Sequence, residues 1–267
     1  MACVFRLVAT DLDGTLLHSD GTVTERSRDI IRAVEEQGVV VVFVTGRPIR
    51  WMEPLWPHVG DHGLAICSNG GIVYDVPSRS VVEARAIPRE VGLEVAARIR
   101  RAVPGSWFAV ERATGGGREQ GVPTREDQPL AEIDHGPLED IYTDDVVKLL
   151  ALHLDVPPAD YWARVEQEVG DLVTTTWSSQ RALIEMSGAD VTKATTLAKV
   201  CAERGITPDE VLAFGDMPND AAMLSWAGLS YAMADAHPLA REAADRIAPA
   251  HDEDGVAAVL EELFLSD

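Results

Sequence analysis

The sequence predicts an α/β chain, with a doubly wound, mostly parallel sheet into which an α+β segment is inserted. Three observations lead to that fold class. β-branched apolar runs alternate with helix-period segments toward both ends of the 267 residues. Several of those runs end in a carboxylate or a hydroxyl. Between them, from about 81 to 187, short strands and helices mix with a different texture.

Residues 4–10 read as a buried strand ending at Asp11. In "TVTERSRDIIRAVEEQG", Ile30, Ile31 and Val34 share one helical face, with Glu25 near the start and Gly38 at the stop. "VVVVFV" (39–44) is a continuous run, which suits a parallel strand covered on both faces. Strand, helix and strand at this spacing make a βαβ unit. "LAICSNGGIVYD" (64–75) reads as a strand, a glycine turn and a return strand. Farther on, "SVVEARAIP", "SWFAVER" and "DVVKLLALHL" (145–154) read as strands, and "REVGLEVAARIRRAV" and "PADYWARVEQEVG" as helices. "LVTTTWS" and "RALIEMS" suggest a closing hairpin. The glycine-rich "ATGGGREQG" (113–121) precedes no helix, so it reads as a plain flexible loop, not a phosphate cradle. The last part returns to α/β order. A helix over 190–205 is followed by a strand over 210–216, a helix over 219–228 and a strand over 229–234. Two more short elements and a C-terminal helix over 254–264 complete the chain. The expected division is 1–80 with 188–267 as one domain, and 81–187 as the insertion.

Composition narrows the function. With 46% hydrophobic and 25% charged residues, the chain is ordinary for a globular protein. A formal net charge of −21 argues against nucleic acid, which needs clustered Lys and Arg, and against anionic membranes. The longest apolar run, Val39 to Val44, is too short to span a bilayer, and the N-terminus lacks a signal-peptide layout. Cys3, Cys67 and Cys201 are odd in number and far apart, which fits buried thiols in a reducing compartment. A soluble cytoplasmic protein, a monomer or small homo-oligomer, is expected. The seven histidines show no ligand spacing. Trp51 and Trp56 read as packing residues, while Arg47 is open between a salt bridge to the inserted segment and contact with substrate.

Four polar clusters fall where a core strand ends or a core helix begins: "DLDGT" (11–15), "TGR" (45–47), "VTK" (191–193) and "GDMPND" (215–220). In an open parallel sheet such clusters meet beyond the carboxyl ends of the strands. In extended chain, Asp11 and Asp13 point the same way, and Asp216 ends another strand. Close carboxylates repel unless a cation offsets the charge, and three hard oxygen donors suit Mg²⁺. Lys193, the Thr45 hydroxyl and backbone N–H groups would add donors, with Gly14 and Gly46 letting the backbone approach. Together these groups describe a receptor for a phosphoryl group.

The ordered set DxDGT, TGR, a helix-initial Lys and GDxxND resembles the haloacid dehalogenase superfamily, with its Rossmann-like core. "SNGG", the inserted segment and "DEDGVAAVLEEL" are similar to its Cof-type subgroup, which carries an α+β cap. The resemblance implies a Mg²⁺-dependent phosphatase acting on a small phosphorylated metabolite, such as a sugar phosphate, through an aspartyl-phosphate. It implies Asp11 as nucleophile and Asp13 as general acid and base. Asp11, the Asp13 carbonyl and Asp216 would hold Mg²⁺. Thr45, Lys193 and the N–H groups of Leu12 and Gly46 would hold the phosphoryl oxygens, beside Asn219, and Asp220 would orient its neighbours. One departure is "AMADA" (232–236) where the subgroup reads close to "AMGNA", so Asp235 adds charge near the site or alters a turn. A phosphoryl-transferring mutase of the same superfamily and a non-turnover phospho-Asp sensor are the alternatives.

Overall fold

The structure is a computed structural model and describes residues 5–56, 63–121, 133–179 and 181–266. Val4, expected to open the first strand, and Cys3 lie outside the described residues. Two sheets form, each over its own hydrophobic core.

The larger sheet holds β1 (Leu7–Thr10), β2 (Val40–Val44), β3 (Leu64–Cys67), β4 (Ile72–Asp75) and β5 (Ser80–Ala84) from the first part of the chain. β12 (Val211–Gly215), β13 (Leu229–Met233) and β14 (Arg246–Ala248) come from the last part. The order is β14-β13-β12-β1-β2-β3-β4-β5. From β14 to β3 every pairing is parallel, and β4 and β5 add antiparallel strands at one edge. Leu7, Val8 and Ala9 on β1 have no exposed surface, as a central parallel strand covered on both faces requires. Helix α1 (Glu25–Glu36) follows β1; the Thr24 hydroxyl caps it by accepting from the Ser27 N–H, and Ile30, Ile31 and Val34 face the core. Gly38, at a φ of +85°, turns the chain out of α1 in a conformation that only glycine adopts cheaply. Helices α5 (Lys193–Glu203), α6 (Ala221–Trp226), α7 (Pro238–Ala243) and α8 (Gly255–Leu260) complete this layer. No helix among the described residues is long and apolar enough to cross a membrane.

The smaller layer consists of α2 (Arg89–Ala102), β6 (Trp107–Arg112), β7 (Gly115–Arg118), β8 (Asp134–His135), α3 (Leu138–Ile141), β9 (Val146–Leu152), α4 (Pro158–Val169), β10 (Val173–Thr176) and β11 (Leu183–Gly188). Its sheet runs β10-β11-β9-β6-β7-β8, and β10 with β11 makes the expected hairpin. Helices α2 and α4 cover one face, burying Val95, Ile99, Tyr161 and Val165.

Two expectations change. The glycine-rich segment is not a loop, because Gly115–Arg118 pairs with β6 as β7. A ladder needs only backbone groups, and the small residues are required sterically: a Cβ on Gly117 would stand 3.0 Å from the Ile141 Cβ. The segment 80–84 pairs with β4 in the larger sheet, so residue 81, where the insertion was expected to start, lies inside a strand of that sheet. Its exposed Val81 and Val82 look like any half-buried strand in sequence, and only the pairing assigns them.

Gly92 in α2 lies so close to buried Tyr142 that an added Cβ would meet the ring at 2.2 Å. Gly92→Ala is therefore expected to destabilise the protein by about 1–3 kcal/mol through overpacking, although alanine is the better helix former by about 1 kcal/mol. Urea unfolding measures the sign; a stabilised variant would show that the helix shifts freely.

Candidate active site

The three central strands β12, β1 and β2 end side by side, so Asp216, Asp11 and Thr45 emerge at one edge of the sheet. The Asp11 N–H donates to the Phe214 carbonyl at 3.1 Å, extending the ladder by one residue. Asp11 is only 5% exposed. Lys193 opens α5, where the Thr192 side chain caps the helix, and its own side chain turns inward and is fully buried. Its Nζ donates to Asp11 Oδ1 at 2.7 Å and to Asp220 Oδ1 at 2.6 Å. The other Asp220 oxygen accepts from the N–H groups of Asp216 and Met217 at 3.1 and 3.0 Å. Asp216 accepts from the Thr15 hydroxyl at 3.0 Å.

Oxygens of Asp11, Asp216 and Asp220 lie within 4.8 Å of one another. Asp220 already spends both oxygens on Lys193 and two backbone donors, whereas Asp11 and Asp216 keep acceptor capacity. Those two carboxylates fit a small divalent cation, and Asp220 fits an orienting role. Electrostatics agree. Burial raises the Asp11 carboxyl well above the ordinary value more than Lys193 lowers it, and Asp220, Asp216 and Asp13 push the same way as burial. Asp216 rises to about 7, again through burial first and Asp220 second. Burial works to lower Lys193, but Asp11 and Asp220 outweigh it and hold the ammonium charged. The cluster is a site with room for more positive charge.

Asp13 is the more exposed of the two acids. Its side chain is 57% exposed, and Arg47 grips it with Nε to Oδ2 at 2.7 Å and a second nitrogen to Oδ1 at 2.5 Å. The chain stops being extended at Asp11, yet Asp13 stays near enough for its charge to raise the Asp11 carboxyl. The Leu12 carbonyl instead accepts from Thr15, Leu16 and Leu17 N–H groups in a tight turn. Gly14 takes a φ of +76° in that turn, and a Cβ there would stand 2.4 Å from Asp216 Oδ2. Arg47 thus pairs within its own layer, which neither alternative anticipated. Its N–H donates to Thr45 Oγ1 at 3.0 Å, and buried Thr45 keeps its hydroxyl proton to give.

Asn219 donates through Nδ2 to Asn69 Oδ1 at 3.1 Å, and Asn69 donates to Glu185 Oε2 at 2.5 Å. Sequence reasoning missed Asn69, Lys148 and Glu185. The signal for the last two was a lone charge inside an apolar strand, "VVKLLAL" and "LIEMSG". Gly46 lies against this cluster, its Cβ direction 3.0 Å from Asn69 Oδ1. Trp56 packs against Tyr74 in a stack at 5.3 Å, and half-buried Trp51 lies beneath the Arg50 guanidinium. Asp235 pairs with His251 at 2.6 Å rather than with any of these groups.

Known proteins resemble this chain along nearly its whole length. The profile of the haloacid dehalogenase-like hydrolases matches residues 8–260. The 5-amino-6-(5-phospho-D-ribitylamino)uracil phosphatase YcsE of Bacillus subtilis strain 168 is 28% identical over 255 residues, covering 94% of this chain and 93% of that protein. The pyridoxal phosphate phosphatase YbhA of Escherichia coli K12 is 26% identical over 264 residues, covering 94% and 96%. The crystal structure of SMU.1108c from Streptococcus mutans UA159 shares the fold with a TM-score of 0.88 at 23% identity, over 98% of this chain and 100% of that one. With a profile match spanning both ends of the fold, the chain belongs to the haloacid dehalogenase-like hydrolase family.

Proposed function

We propose that this protein is a Mg²⁺-dependent phosphatase that hydrolyses a small phosphorylated metabolite through an aspartyl-phosphate on Asp11. The observation that carries the reading is the buried Asp11 carboxylate, held by Lys193 and flanked by Asp216. Relatives named as phosphatases along nearly the whole chain support the same reaction class. Smaller-layer residues stand against the Thr45–Arg47 loop, which supports reading that layer as a cap.

Asp11, the Asp13 carbonyl and Asp216 would hold Mg²⁺, which would supply positive charge to offset the carboxylates and the phosphoryl oxygens. Lys193 keeps one Asp11 oxygen fixed, leaving the other to attack phosphorus. The Thr45 hydroxyl, Lys193, the N–H groups of Leu12 and Gly46, and Asn219 hold the phosphoryl oxygens. As the Asp11–phosphorus bond forms and the ester bond breaks, Asp13 gives its proton to the departing alkoxide. Asp13 then takes a proton from water, whose oxygen attacks phosphorus and frees Asp11 and inorganic phosphate. For either transfer Asp13 must leave the Arg47 fork.

Asp11→Asn is expected to lower turnover of a phosphomonoester such as p-nitrophenyl phosphate by about 10⁴-fold or more with the fold intact by circular dichroism. Full activity in that variant excludes Asp11 as the nucleophile. The pH dependence has a definite sign. Asp11 and Asp216 are both raised in the fold, Asp216 to about 7, so ionising them costs stability as pH climbs. Mg²⁺ binds the ionised forms, so the Tm gained with Mg²⁺ should grow from pH 5 to pH 8. A gain that stays flat or shrinks over this range, followed by scanning fluorimetry, would remove the two carboxylates as ligands.

A further inference from the structure

Glu185 on β11 and Lys148 on β9 are charged side chains buried where the smaller layer meets the larger one, 6% and 2% exposed. Neither serves a surface ion pair. Lys148 Nζ donates to the Gly46 carbonyl at 2.7 Å and lies 3.4 Å from Glu185 Oε1, which also accepts from the Ser178 hydroxyl at 3.2 Å. Glu185 Oε2 accepts from Asn69, and Asn69 accepts from Asn219. A carboxylate only accepts, so Glu185 dictates which way both amides face. Asn69 must turn its nitrogen to Glu185 and its oxygen to Asn219, and Asn219 must then turn its nitrogen to Asn69. The chain ends at Asn219 Oδ1, which is buried and has no partner among the described residues. Buried polar atoms are nearly always satisfied, so that oxygen is set to accept from a ligand hydroxyl, while the second proton on Asn219 Nδ2 stays available to a phosphoryl oxygen. Lys148 acts on the adjacent peptide. It fixes the Gly46 carbonyl, whose peptide partner is the Arg47 N–H that donates to Thr45 Oγ1.

We infer that Glu185, with Lys148, is a positioning residue. Carried by the smaller layer, it sets the polarity of the Asn69–Asn219 pair and steadies the Gly46–Arg47 peptide, so the phosphoryl pocket is complete only with that layer seated. This rests on the phosphatase reading of the site. Removing a charge that buttresses a site in this way typically costs about 10- to 100-fold in activity.

The test is a double-mutant cycle on kcat/KM for p-nitrophenyl phosphate with Mg²⁺, with inorganic phosphate binding by calorimetry as a second readout. Glu185→Met should lower kcat/KM at least about tenfold and weaken phosphate binding in parallel. Glu185→Gln, which can still accept from Asn69, should recover most of both. In an Asn219→Ala background, Glu185→Met should have a smaller further effect than in the wild type, because the route through the amides is already gone. Full additivity of the two losses, or a Glu185→Gln as impaired as Glu185→Met, overturns the positioning role. A Glu185→Met with wild-type activity and phosphate affinity overturns it as well. If Glu185→Met does not fold, Asn69→Ala decides instead. That variant must weaken phosphate binding, and Glu185→Gln must then add nothing in its background. A wild-type protein that hydrolyses no phosphomonoester yet binds phosphate in a Glu185-dependent way would reject the phosphatase reading and keep this one.

Discussion

One buried ammonium holds the site together. Lys193 lies between Asp11 and Asp220, without access to water, at the start of α5. Three carboxylates gathered at the ends of β1 and β12 would not stay ionised there alone, and Lys193 offsets the charge of two. Removing one member of such a buried pair typically costs about 3–5 kcal/mol, because its partner is left charged and unpaired. The position of α5 against the sheet, the turn after β12 and the orientation of Asp11 are therefore linked through a single nitrogen. Asp220 is the other half of the device. By accepting from two backbone N–H groups and Lys193, it holds the turn that presents Asp216.

The two acids of "DLDGT" are separated by the turn between them. Asp11 ends a ladder and is buried, whereas Asp13 stands exposed in the grip of Arg47. That difference matches the unequal tasks proposed for them. A nucleophile must be fixed and ionised, while a group that gives and takes a proton needs access to the leaving group and to water. Gly14 makes the turn possible, since its left-handed backbone and missing Cβ allow Asp216 to pass within contact distance.

The smaller layer is joined to this machinery by polar as well as apolar contacts. Val147 is buried with the larger core, and the next residue, Lys148, reaches the Gly46 carbonyl. The register of β9 against β6 shifts at Val147, and there one strand serves packing and the pocket at once. Arg50 and Glu111 add an ion pair across the same junction.

Much of the fold was legible because it depends on local rules. Continuous apolar runs gave β1, β2 and β12, and helix periodicity with glycine stops gave α1 and α5. Asp11, Thr45, Lys193 and Asp216 were legible as site candidates because strand ends in a parallel sheet share an edge. The glycine strand β7 was not, because its pairing is made by backbone and its lack of side chains is dictated by Ile141 from another element. Arg47 on Asp13, and Glu185 through Asn69 to Asn219, were likewise beyond reach. By itself the sequence determined the elements, their order and the chemical types brought to the sheet edge, since propensity, periodicity and topology act through near neighbours. Only the tertiary structure decided which charges pair and which amide faces which acid. Those choices depend on ångström-scale distances between segments far apart in the chain, 182 residues for Lys193 and Asp11.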